Sequence, residues 1–89
     1  MKVQLFTQTM SHGESTRTAG NYKPILTFRK DRVQSNAQGA SYGGNDYIMT
    51  SAHSFDVGQI VKYGGQFYRV KSIINALAYV YQYKLEVMA

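Results

Sequence analysis

The side chains that could do acid–base or nucleophilic work are few. They are His12 and His53 with the carboxylates Glu14, Asp31, Asp46, Asp56 and Glu86, and the 89 residues contain no cysteine. No Gly-x-Ser-x-Gly elbow, phosphate loop or His-Glu-x-x-His helix is present. His12-Gly13-Glu14 places two metal-ligand types close together, but a lone His-x-Glu in a polar stretch reads as loop, and His53 beside Ser54 reads as a strand end. Gly39, Gly43 and Gly44 lack the spacing and the following helix that a dinucleotide cradle needs. The expectation is a protein that is not an enzyme, with no cofactor and no metal.

Charge offers more. Ten Lys/Arg against five Asp/Glu give a formal +5, which suits an anionic partner and also serves solubility. The densest run is Arg29-Lys30-Asp31-Arg32. On a strand, Arg29 and Asp31 face one way, Lys30 and Arg32 the other. Arg69 and Lys71 share a face of a second strand, and with Lys62 they would make a basic strip on the outer surface of a sheet. Phe28, Tyr63 and Phe67 nearby would allow base stacking, as in single-strand binders. Most tyrosines, however, take inward positions.

The elements that must position these groups are strands. Eight Tyr, four Phe and one Pro favour β structure. Residues 80–88 alternate, with Tyr81, Tyr83, Leu85 and Val87 on one face and Val80, Gln82, Lys84 and Glu86 on the other. Residues 66–74 form another strand, whose alternation breaks at Ile73-Ile74, as a bulge or a strand passing between two packed surfaces would require. Gly64-Gly65 is a hairpin turn between that strand and residues 60–63. Residues 59–88 therefore read as a three-stranded antiparallel meander, entered through a turn at Asp56-Val57-Gly58.

Further strands are expected over residues 46–53, over 25–33 with Leu26 and Phe28 on one face, and over 3–9 with Val3 and Leu5 inward. Residues 11–21 and 34–45 are polar and aperiodic and read as two long loops. The sum is a single-domain, all-β fold: a small antiparallel barrel or sandwich of five to six strands, with room for a short helix. Its core is small and has no disulfide to help, so either it is unusually well packed or neighbouring subunits complete it. Residues 1–8 do not read as a signal peptide, and no apolar run is long enough to span a membrane.

The C-terminal third resembles the phage head–tail joining proteins (head–tail adaptor or head closure proteins). The resemblance is carried by Gly58 and the strand after it, by Gly65-Gln66-Phe67-Tyr68-Arg69-Val70-Lys71-Ser72-Ile73, and by the closing strand Tyr83-Lys84-Leu85-Glu86-Val87. It covers about a third of the chain. It implies a virion protein, assembled in the host cytoplasm, that forms a homo-oligomeric ring between portal and tail. It also implies a small β-barrel core with long loops that grip neighbours. The contacts would then lie in the two polar segments: His12, Glu14 and Arg17 in the first, Gln38, Tyr42 and Asn45 in the second. The basic face (Arg29, Lys30, Arg32, Lys62, Arg69, Lys71) would meet DNA weakly or an acidic protein. Two other functions fit the residues: a small β-barrel that binds nucleic acid, and a phage-encoded inhibitor of a host protein.

Overall fold

The computed structural model describes residues 1–30, 46–76 and 78–88, and these build one antiparallel sheet that curls into a half-barrel. The strands are β1 (Lys2–Ser11), β2 (Glu14–Pro24), β3 (Thr27–Lys30), β4 (Asp46–Ser51), β5 (Ile60–Tyr63), β6 (Gln66–Ala76) and β7 (Tyr81–Val87), in the order β2-β1-β5-β6-β7-β4-β3. No helix occurs among the described residues.

The C-terminal meander is β5–β6–β7, as its alternation predicts. Gly64 and Gly65 have φ of 60° and 82°, the positive angles that a tight hairpin turn requires. The bulge expected at Ile73-Ile74 is present, since the β6–β7 register shifts between Ile73 and Asn75; a second shift lies between Val70 and Ser72.

Alternation sorts the side chains onto two faces. Inward go Val3, Met49, Val61, Tyr68, Val70, Tyr83 and Leu85, joined by Ile25 and Phe55 from the connections. One end of this interior is aromatic. Phe28 stacks on Tyr63 at 4.4 Å between centroids and meets Tyr68 edge-on at 4.8 Å, and Tyr47 meets Tyr68 at 4.9 Å. Such ring pairs add about 0.5–1.5 kcal/mol each beyond the area they bury.

The curl is closed by the chain itself. β2 is one edge of the sheet and β3 the other, and only Ile25 and Leu26 separate them. The Ile25 amide bonds the Met1 carbonyl at 2.8 Å, extending the β1–β2 ladder, and the Leu26 amide bonds the Thr50 carbonyl at 2.7 Å, extending β3–β4. Ser51, fully buried, locks this crossing: its hydroxyl donates to the Pro24 carbonyl at 2.8 Å and accepts from the His53 amide at 3.0 Å.

Three expectations need correction. Residues 11–21 are no loop: Ser11 ends β1, and after the turn at His12-Gly13 the chain is strand β2, paired to β1 except where the register shifts between Gln4 and Phe6. The segment shows no apolar alternation because residues 7–16 are exposed on both faces, so burial imposes no pattern. The strand count is seven rather than five or six for the same reason. Leu26 does not join Phe28 in the interior; it is 53% exposed, and Ile25 is buried in its place because the chain is crossing between edges there. The loop expected over residues 34–45 lies outside the described residues, with Asp31, Arg32, Gln38, Tyr42 and Asn45.

Candidate functional site

Among the described residues the potential catalytic groups do not converge. His12 occupies the β1–β2 turn at φ 53°, His53 lies in an exposed bend, and Asp46 is bound up with lysines on β4's outer face. Among the described residues no three His, Cys, Asp or Glu side chains stand close enough to hold a metal ion. What the fold does organise is its outer face and two strand segments that outrun their neighbours.

The outer face divides electrostatically. On its β2-β1-β5-β6 half, register brings Tyr22, Gln4, Lys62 and Phe67 into one row across four strands, with Ala19, Phe6, Ile60 and Arg69 in the next. Cations sit on rings here. The Arg17 guanidinium lies 4.6 Å from the Phe67 centroid, Lys62 Nζ 5.4 Å from the same ring, and Lys2 Nζ 4.7 Å from the Tyr22 ring. Phe6 meets Phe67 edge-on at 4.9 Å. Strands β1 and β5 carry no carboxylate, and β2 carries only Glu14, at the hairpin turn.

The β7–β4 half is balanced. Asp46 takes Lys71 Nζ at 3.3 Å and Lys84 Nζ at 3.6 Å, and Glu86 stands opposite Arg69.

The residues expected to form a basic strip are thus only partly brought together. Lys62 and Arg69 share the outer face on neighbouring strands. Lys71 reaches it from a bulge but spends its charge on Asp46. Arg29 belongs to the outer face at the far edge, level with Ile48 and Lys84. Lys30 takes the opposite parity, two residues on from inward Phe28. Lys2, Tyr22 and Arg17 were not in the expected strip. Their place beside Lys62 comes from the β2–β1–β5 register, which no local pattern announces.

The second feature is the short β5. It pairs with β1 over Gln4, Leu5 and Phe6, so β1 runs on through Ser11 with β2 as its sole strand partner among the described residues. On the other side its pairing with β6 ends at Arg69, extended to Val70 by backbone bonds with Gly58 and Gln59, and β6 runs on through Ala76 with β7 as its strand partner among the described residues. Beyond the start of β5 a groove of about 640 Å³ opens, lined by Phe6, Gln8, Met10, Gln59, Ile60 and Arg69 among others. Residues 7–16 and 71–76 are exposed throughout. The radius of gyration, 14.4 Å, exceeds the ~12 Å of a compact chain of this length, as extended arms require. Met10, Ile73 and Ile74 leave apolar surface on these arms, with Met10 75% exposed.

Comparison with known proteins finds no matching family model, no matching curated protein and no matching solved structure.

Proposed function

We propose that this chain is a structural virion protein of the head–tail connector, assembling as a ring between portal and tail. One observation carries the proposal: the β1–β2 hairpin extends past the core with residues 7–16 wholly exposed. A hairpin without a hydrophobic face gains almost nothing from its own barrel. Two-stranded ribbons are marginal by themselves. Its order and its exposed Met10 make sense if a neighbouring chain covers it.

The strand segments that outrun β5 supply a second reason. Each has backbone N–H and C=O groups with no ladder partner among the described residues, the kind of edge that accepts a strand from another chain. Closed-ring packing would cover such edges on every subunit alike. Catalysis needs a convergence of groups that these residues do not make, whereas assembly needs shape, edges and exposed apolar surface.

The test is to shorten the arm. Residues 9–16 are replaced by a tight Asn-Gly turn, flanked by the Gln8–Arg17 pair so that the register of the core strands is kept. The variant should fold, shown by an unchanged far-ultraviolet spectrum and cooperative melt. In a phage background it should yield separate heads and tails. Normal joining of heads and tails, or absence of the chain from purified particles, would overturn the proposal.

A further inference from the structure

We infer that the outer face of β2-β1-β5-β6 binds a nucleic-acid strand, with phosphates on Lys2, Lys62 and Arg17 and a base against Tyr22. The inference stands independently of ring assembly, since it rests on a different face feature. A groove of about 320 Å³ lies here, lined by Lys2, Gln4, Tyr22, Lys62 and the Gly64-Gly65 turn. Cations flank it on adjacent strands, because Gln4 pairs with both Tyr22 and Lys62. Tyr22 is 57% exposed, so its ring has surface left beside the Lys2 ammonium.

An anionic partner is selected because Lys2 and Lys62 stand together on strands whose own sequences carry no carboxylate. The same sheet offers a comparison: at Asp46 two lysines share one carboxylate, while Lys2 and Lys62 share a groove with no acid in its lining. A nucleic acid is favoured over an acidic protein by the interleaving of rings and cations. Tyr22 and Phe67 alternate with Lys2, Lys62 and Arg17, a combination that takes bases and phosphates together. The Gly64-Gly65 turn keeps one wall low, with open space where side chains would otherwise stand, so a backbone can approach closely.

The experiment is fluorescence anisotropy of the full chain with short labelled single-stranded and double-stranded oligonucleotides. Binding to at least one form is expected, falling roughly 20- to 40-fold between about 50 and 200 mM salt if three phosphates are contacted. Lys2→Gln and Lys62→Gln should each lower the salt exponent by about 0.7–0.9. Tyr22→Ala should weaken single-strand binding about fivefold or more, and leave duplex binding unchanged if the duplex meets only the lysines. Lys71→Gln should change affinity less than about twofold, because Asp46 already holds that charge. Lys2 is exposed, so its variant keeps the test valid should substitution at half-buried Lys62 disturb the fold. No binding to either form at the lower salt overturns the inference. So does an equal effect of Lys71→Gln and Lys2→Gln, or polyglutamate competing as well as unlabelled oligonucleotide.

Discussion

The Tyr83 hydroxyl accepts the Phe55 amide hydrogen at 2.8 Å, and it also approaches the His53 carbonyl at 3.2 Å as a donor. A ring on β7 thereby fixes the connection between β4 and β5. Phe55 is buried and packs edge-on against the same ring at 5.3 Å.

Tyr83→Phe keeps the ring and removes the hydroxyl. The buried Phe55 amide then has no acceptor, which costs about 1–3 kcal/mol. Urea denaturation should show a lower midpoint with an unchanged slope, since the surface exposed on unfolding is nearly the same.

High pH should destabilise the fold. Burial lifts the Tyr68 hydroxyl above the usual tyrosine range, with neighbouring Tyr47 and Tyr63 adding to it. Burial also lifts Tyr83, partly offset by its bond from the Phe55 amide. In the unfolded chain both ionise near pH ~10. Above that point the folded state binds more protons than the unfolded one, so stability falls as pH rises. Below it these two groups contribute no pH dependence. Melts taken from neutral to strongly alkaline pH should show the decline, and Tyr68→Phe with Tyr83→Phe should flatten it.

Ser51→Ala should cost about 1–3 kcal/mol, a large effect for so small a change. It strips the Pro24 carbonyl of a donor and the His53 amide of an acceptor at once. For a domain of this size that lowers Tm by roughly 4–8 °C per kcal/mol. Calorimetry checks it. A loss below ~0.5 kcal/mol would mean that water replaces the hydroxyl.

Gly20→Ala probes the arm's root. The register of β1 and β2 shifts between Gln4 and Phe6, and an added Cβ at Gly20 would stand 3.2 Å from the Leu5 carbonyl oxygen. The obstacle is backbone and must give by a few tenths of an ångström, at about 1–3 kcal/mol. Hydrogen exchange should speed up first in residues 4–6 and 19–22.

Asp46→Asn should barely alter stability, within ~1 kcal/mol, because both of its ion pairs are partly exposed. It removes the negative charge that Lys71 and Lys84 share on the β7–β4 half of the outer face. Oligonucleotide affinity should then rise, as salt-dependent anisotropy would detect.

The meander was legible because its strands are half-buried. Tyr83 and Leu85 alternate with Lys84 and Glu86, and that contrast is imposed by an inside and an outside. Even the bulge at Ile74 shows, as two adjacent apolar residues where alternation demands one. β2 was illegible for the opposite reason. Its Ser, Thr, Arg and Asn residues meet water on both sides, so only ladder bonds to β1 make them a strand. His12-Gly13 was the available cue, a two-residue turn ending in glycine with φ of 53° and 79°. The cation–ring half of the outer face was hidden more deeply. Lys2, Arg17, Tyr22 and Lys62 are dispersed along the chain and meet only through the pairing of β1 with both β2 and β5.

The passage from Pro24 to Thr27 has a mechanical consequence. Both margins of the sheet are one continuous thread, so they cannot shift independently. Any force that drags the projecting ribbon along its axis is delivered, two residues later, to the strand carrying Phe28 and hence to the ring cluster at the opposite rim. A nick between Ile25 and Leu26 would cut that linkage and leave the half-barrel with two borders that no covalent thread joins.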